Sequence, residues 1–417
     1  MAASYWDRVL RGRVTRRRAV GGAGGVALGA ALLAACGGSS SNGTGDSGSE
    51  LITPAVDSSR EAKRGVVLKV SQDRDTAHFD PAAAQSTFET PQKYVFGYLT
   101  TQKPGQMQPW QGEFTGDLAE SWEPSADGLQ MAFRLRPGVK WHNKPPVDGR
   151  PLDVQDVVFS WERFAEKGAS RSNIVNAVNP DAPVLGVTAS DDRTLVVRLK
   201  YPVSFLPGVF SNGNLGRITI VPKETDSSSF DIRQTINGTG PFELASYTSS
   251  VGYRFRRNPD YWDRDVPYVD EVDMPIIAEY AQGLAQFKAG NLYTYNVRPE
   301  DILPTQKSML DLRMYQSDVS VASNQVMFGW LPAGRSPFLD ERVRRAYSMA
   351  IDRDLFIETF YNVATYEAEG LPIETRWNTS LSATMDGWWL DPRGRDFGDT
   401  ARYFQHDVEE AKKLLAA

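Results

Sequence analysis

Several short runs along the chain alternate apolar and polar residues, and each reads as a strand half-buried against a core. Met131-Ala132-Phe133-Arg134-Leu135-Arg136 shows the period of two most plainly. Thr194-Leu195-Val196-Val197-Arg198-Leu199 is a second run of this kind, and the β-branched residues 66–70 open the series. Residues 118–122 lead into an Ala126-Asp127-Gly128 turn, and a Pro137-Gly138 turn precedes an expected strand over residues 139–142. Residues 240–244 and 253–257 predict a hairpin around residues 249–252. Elsewhere the period lengthens. Val157, Val158, Trp161 and Phe164 recur at helical spacing, behind Asp153 as N-cap and Asp156 in the first turn. Further helices are predicted over residues 279–289, with Gly290 as a stop signal, and over 342–352, 353–361 and 408–417. A short helix is expected to start at residues 82–84, after Asp80-Pro81. No internal repeat is visible, and the mixture of strands and helices predicts layered α/β lobes.

The first 36 residues follow another pattern. Thr15-Arg16-Arg17-Arg18 precedes a weakly apolar stretch, residues 19–35, which holds five glycines and ends in Leu33-Ala34-Ala35-Cys36. A basic region, a short apolar region and a small-residue cleavage site define an export signal; the arginine pair makes it Tat-type, with an ordinary Sec signal as the alternative. A membrane span wants about 20 strongly apolar residues, so a permanent span is disfavoured. Cys36 is the only cysteine, which excludes a disulfide framework within one chain and suits lipidation instead. Two acyl chains there would hold the protein on a membrane. Residues 36–65 read as a flexible tether, Gly- and Ser-rich at its start. Gly45-Asp46-Ser47-Gly48-Ser49 superficially matches a serine-hydrolase nucleophile loop, but no strand pattern precedes it.

Charge narrows the function classes. Residues 1–35 carry six arginines and one aspartate, so the remainder has a net charge of −11 against −6 for the whole. An acidic body argues against nucleic-acid binding. Aromatic residues make up 11%, with ten tryptophans, which suits a ligand cleft as well as a core. The three histidines, His78, His142 and His406, have no metal-ligand spacing. No nucleophile and base are paired, and no carboxylate pair stands out, so neither a catalytic centre, a metal nor a cofactor is expected.

Six segments, in order, resemble the extracytoplasmic solute-binding proteins of peptide-type ABC importers, the oligopeptide/dipeptide-binding family 5. They are Leu118-Ala119-Glu120-Ser121-Trp122-Glu123 with Asp127-Gly128; Leu135-Arg136-Pro137-Gly138-Val139-Lys140-Trp141-His142; Asp156-Val157-Val158-Phe159-Ser160-Trp161; Gly238-Thr239-Gly240-Pro241-Phe242; Arg257-Asn258-Pro259-Asp260-Tyr261-Trp262; and Arg342-Val343-Arg344-Arg345-Ala346-Tyr347-Ser348-Met349-Ala350-Ile351-Asp352. Order and spacing agree over residues 66–417.

The resemblance implies an α/β, two-lobed periplasmic-binding-protein-like fold (type II, with an extra subdomain) and a ligand held between the lobes. Lobe I is expected over residues 66–271, with the subdomain inserted somewhere in 87–192, and lobe II over 272–417. The resemblance also implies that lobe II, and a segment returning to lobe I, extend past Ala417. A gene fragment and a shortened paralogue both fit that expectation. Open strand edges and exposed apolar surface then predict aggregation of these residues alone, to be checked by circular dichroism on soluble monomer. In relatives, an extended segment shortly after the first Asp-Pro lines the ligand; here it maps to Gln85, Ser86 and Thr87. Trp330 and Tyr247 are further candidates for the ligand wall, against ordinary core or loop roles. The Gly238-Thr239-Gly240 glycines are expected to serve backbone conformation. The implied partners are a peptide or other small solute, a membrane permease with its ATPase subunits, and the membrane through the lipid anchor. The implied location is extracytoplasmic. A secreted hydrolase, or a sensory or chaperone lipoprotein on the same fold, are the alternatives.

Overall fold

The structure is a computed structural model. It describes residues 51–416 except 55, 84–88, 104–111, 213–217, 316–325, 330–335, 384 and 386. These residues belong to one unit, Gly48–Ala417.

Two four-stranded sheets build the part before residue 276. One has the order β1-β10-β9-β8, from β1 (Val67–Lys69), β8 (Phe242–Thr248), β9 (Gly252–Arg257) and β10 (Glu271–Pro275). β1 runs parallel to β10; the other neighbours are antiparallel. The second sheet is wholly antiparallel, β4-β5-β7-β6, from β4 (Ala119–Pro124), β5 (Gln130–Leu135), β6 (Val184–Ala189) and β7 (Thr194–Leu199). A short pair, β2 (Thr100–Gln102) with β3 (Phe114–Gly116), lies between them in the chain. The expected period of two holds in β5, where Met131, Phe133 and Leu135 are buried, and in β7, where Leu195, Val197 and Leu199 are. The hairpin expected around residues 249–252 is β8–β9, with Ser250 at φ 62° and Gly252 at φ 153° in its turn.

Helix α1 (Glu89–Val95) packs on β8, and α2 (Val154–Lys167) packs on β6 and β7. Both give their apolar residues to large cores. One core joins Phe133, Trp141, Trp161, Phe164 and Phe210; the other joins Phe79, Val95, Phe96, Tyr253, Phe255 and Met274. Each large side chain buried this fully contributes about 1.5–3 kcal/mol. Helix α2 starts as its sequence predicts. Asp153 accepts from the Gln155 and Asp156 amides, and the Asp156 carboxylate accepts from the Asp153 amide, a reciprocal capping box.

Two expected elements differ. Residues 139–142 form only an isolated antiparallel bridge, Lys140 with Pro151, in which the Trp141 amide donates to the Arg150 carbonyl and the Leu152 amide to the Val139 carbonyl. The pairing goes no further, because the His142 amide donates to the Gly238 carbonyl instead. Val139 and Trp141 still point into the core, which is why the alternation is there. Residues 81–82 form a turn instead of a helix start, residue 84 lies outside the described residues, and the first described α-helix comes later, at α1.

After β10 the described residues form helices and irregular segments: α3 (Tyr280–Lys288), α4 (Pro299–Ser308), α5 (Glu341–Ala350), α6 (Arg353–Tyr361), α7 (Val363–Ala368) and α8 (Val408–Ala416). α3 gives way to Gly290 at φ 74°, as its stop signal predicts. α8 packs on α5 through Ala411, Ala346 and Met349.

Candidate functional site

Of the residues proposed to face a ligand, Tyr247 is the one the described structure places. Gln85, Ser86, Thr87, Trp330 and the lipidation candidate Cys36 lie outside the described residues. Tyr247 sits late in β8. Its ring lies edge-on to Phe79, with centroids 5.2 Å apart, and stacks on Tyr253 at 4.8 Å. Its hydroxyl donates to Asp75 Oδ1 at 2.7 Å. Asp75 Oδ2 accepts from the Ser249 hydroxyl at 2.8 Å and the Ser250 amide at 2.7 Å, and Oδ1 also accepts from the Thr76 amide at 2.8 Å. Burial pushes the Asp75 carboxyl up, but these bonds outweigh it and hold the group below the usual carboxylate range. Tyr247 therefore braces the segment after β1 against the β8–β9 turn, with its hydroxyl bonded to Asp75 and its ring against Phe79 and Tyr253.

The segment that follows is anchored again at Asp80. Arg163 of α2, 5% exposed, donates to both Asp80 oxygens at 2.9 and 2.8 Å and to Asp226 Oδ2 at 2.8 Å. Sequence reasoning singled out neither Asp75 nor Arg163. The available signal was the pair of aspartates flanking residues 76–79: Asp80 forms an Asx turn, accepting from the Ala82 amide at 3.0 Å, and Asp75 accepts from the adjacent Thr76 amide.

The expected backbone role of the Gly238-Thr239-Gly240 stretch has a specific cause. A Cβ on Gly238 or Gly240 would overlap the Val95 carbonyl, so the end of α1 lies directly on this strand-like segment. His142 clasps the same segment. Its Nε2 lies 3.0 Å from the Gly240 carbonyl, and the Gly238 amide donates to Nδ1 at 3.3 Å, an arrangement that suits the neutral ring with its proton on Nε2. Burial pushes this histidine down to about 4. The Arg257–Trp262 turn is structural, as expected: Asn258 donates to the Gly240 carbonyl at 3.0 Å, and Trp262 donates to Asp117 at 3.1 Å.

The helical part after residue 300, together with Ile52, borders an open hollow of about 1200 Å³. Its walls include Ile302, Met314, Phe328, Tyr347, Phe356 and Ile373. The charged groups on its walls are already engaged. Arg353 donates to the Phe404 carbonyl at 2.7 Å, the Ser348 carbonyl at 2.9 Å and the Ser348 hydroxyl at 2.7 Å. Arg376 pairs with Glu374 at 2.8 Å, and Arg344 donates to the Phe338 and Leu339 carbonyls. Arg342 and Arg345 lie on the helix surface, paired with Asp340 and Glu341. Among the described residues there is no cluster of metal-ligating side chains, and no helix is long and apolar enough to cross a membrane.

These features agree with known proteins. The dipeptide-binding protein DppE of Bacillus subtilis is 24% identical over 306 residues, which cover 70% of this chain and 53% of that protein. The probable deoxycholate-binding periplasmic protein YgiS of Escherichia coli is 29% identical over 288 residues, covering 65% and 50%. The chain thus spans about half the length of the curated relatives it matches. The solved periplasmic binding protein DppA of Helicobacter pylori, in complex with the peptide STSA, superposes with a TM-score of 0.64 at 19% identity, over 86% of this chain and 67% of that one. Its fold is the mixed α/β periplasmic-binding-protein fold that the sequence implied. Residues 113–417 match the family described as bacterial extracellular solute-binding proteins, family 5 Middle. The chain therefore belongs to the bacterial extracellular solute-binding proteins of family 5.

Proposed function

We propose that this protein is the lipid-anchored receptor of an ABC importer, which captures a peptide or similar small solute between two lobes and hands it unaltered to a membrane permease. The observation that carries the reading is the family match over residues 113–417. The names of the dipeptide- and oligopeptide-binding relatives support a peptide as solute, and the relative named a probable deoxycholate-binding protein keeps other small solutes in the reading. Cys36, behind its small-residue run, is the attachment point of the anchor, and residues 36–65 are the tether. Residues 66–271 and the part that follows are the two lobes. Gln85, Ser86 and Thr87 line the ligand as an extended segment offering main-chain hydrogen bonds, which are blind to side-chain identity. The Tyr247 ring and the Trp330 indole wall it in. Closing the lobes excludes water and strengthens each of these bonds. No step of covalent chemistry is involved.

The test is a thermal-shift screen of the protein made from its gene, against di-, tri- and tetrapeptides, opines, bile salts and metal chelates. A ligand at a hundred times its dissociation constant adds about 2.7 kcal/mol to stability. A shift with peptides and none with the other classes supports the reading. Turnover of any compound in the screen contradicts it.

A further inference from the structure

Leu51, Ile52 and Thr53 lie against the body of the protein. All three are half-buried, whereas Pro54, residues 56–58 and residues 60–66 are exposed. Leu51 and Ile52 are the one pair of adjacent large apolar residues in the sequence 37–65. They pack on the cluster of Leu303, Tyr366 and Leu371, beside Ile302, Met314 and Ile373. The Thr53 amide donates to the Met314 carbonyl at 2.7 Å, so the contact has a main-chain bond as well as apolar burial. Ile52 also forms part of the wall of the hollow.

Further along, the same segment is fixed a second time. Arg64 donates to the Asp265 carbonyl at 2.8 Å and to the Arg264 carbonyl at 3.4 Å, and its guanidinium lies 5.6 Å from the centre of the Tyr268 ring. The Val66 carbonyl then accepts from the Asp270 amide at 3.0 Å, which leads the chain into β1. The two fastenings are on different parts of the molecule. Residues 264–270 belong to the part built on the sheets, and Leu303, Met314, Tyr366 and Leu371 to the helical part. Residues 54–63 run between them, with a 3-10 turn at Ser59–Glu61 in which the Glu61 amide donates to the Ser58 carbonyl at 2.9 Å.

We propose that residues 51–64 are a strap across the two parts of the body: the cluster of Leu303, Tyr366 and Leu371 is a docking site for the apolar residues of the tether, and Arg64 is the second fastening. The strap divides the proposed tether into residues 36–50 and a docked remainder. A Gly- and Ser-rich chain of about 30 residues has a root-mean-square span of about 30 Å, and one of about 15 residues a span of about 21 Å, so docking brings the helical part closer to the lipidation candidate Cys36. It also limits how far the two parts separate. A stretch of ten residues reaches at most about 33–36 Å, and the turn at Ser59–Glu61 keeps some of that length in reserve. A larger separation pulls residues 51–53 from their site, because two half-buried side chains and a main-chain bond hold less firmly than a strand in a sheet. The strap depends neither on which solute is carried nor on lipid at Cys36.

The test is hydrogen exchange read by mass spectrometry on the protein purified from its own cells, with limited trypsin digestion beside it. The expected result is an exchange at the Thr53 amide roughly tenfold or more slower than at residues 56–58. Ile52→Asp should abolish that protection and speed cleavage after Arg60 and Lys63, with exchange in β5 and β7 unchanged as the sign that the fold is kept. Arg64→Ala should speed the same cleavages and leave Thr53 protected. A third arm needs no destabilising change: a photo-reactive phenylalanine analogue at position 52 should form adducts with residues 302–303, 314 or 366–373, and the same analogue at the exposed Val56 should form none there. Thr53 exchanging as fast as residues 56–58, adducts from position 52 to other regions or to none, or cleavage unaltered by both substitutions, would overturn the proposal.

Discussion

Asp117 and His142 respond to acid in opposite senses. Burial pushes the Asp117 carboxyl up to about 6, although the Tyr98 amide and the Trp262 indole donate to it. The fold then keeps its proton between about 3.8 and 6, where the unfolded chain has lost it, so acidification through that window favours folding. His142 is held neutral down to about 4, while the unfolded chain takes up a proton near 6.5, so acidification through that window disfavours folding. Asp117→Asn removes the favourable response and leaves the unfavourable one. Urea titrations should show the variant losing about 1 kcal/mol more than the parent between pH 7 and pH 5. Equal losses would mean that the Asp117 carboxyl is not displaced. Arg163 is a sharper case, because its guanidinium is the counter-charge of the buried Asp80 and of Asp226. Arg163→Met should cost about 3–5 kcal/mol in urea unfolding, the range for removing one partner of a buried pair. A loss below about 1 kcal/mol would show the network to be dispensable.

At the scale of elements, what could be read from the sequence followed how each segment meets its backbone needs. β5, β7 and the β8–β9 hairpin bury alternate residues and also form ladders, so their alternation was a true signal. Residues 139–142 bury Val139, Trp141 and His142 and pair only through one isolated bridge, which the sequence does not distinguish from a full ladder. β10, with the sequence Glu-Val-Asp-Met-Pro, buries Val272 and Met274 in the period of two, but its place beside β1 comes from a pairing, Val67 with Glu271, that half the chain separates. α2 was legible in both period and cap. The close contact of residues 238–240 with the end of α1 was legible only as glycines, since the partner is a carbonyl more than a hundred residues away. That contact yields a prediction. Gly240→Ala forces a methyl against the backbone at Val95, where neither side has a flexible end to yield, and should cost about 2–3 kcal/mol or more in thermal or urea unfolding. An unchanged midpoint would place the two backbones further apart than described.

At the scale of the whole molecule, the family was readable because six spaced segments mark turns, caps and buried aromatics that the fold reuses: Trp141 and Trp161 in one core, Asp156 in the cap of α2, Asn258 and Trp262 in the turn before β10. The ligand wall was far less readable. Its contacts are expected to be main-chain bonds and aromatic faces, which leave no distinctive residue type in the sequence. Tyr247 is the candidate the structure places, and its hydroxyl is already spent on Asp75. The apolar hollow after residue 300 was not foreseen as a site; it follows from how α4, α5, α6 and their connecting segments are arranged. Under the proposed function the protein carries a solute without changing it. The decisive experiment is native mass spectrometry of the protein purified from its own cells and mixed with a defined tripeptide pool. The expected result is a set of non-covalent adducts whose masses equal the protein plus one intact tripeptide, with the same peptides recovered whole on release. Bare protein at every peptide concentration, or release of cleaved peptides, would contradict it.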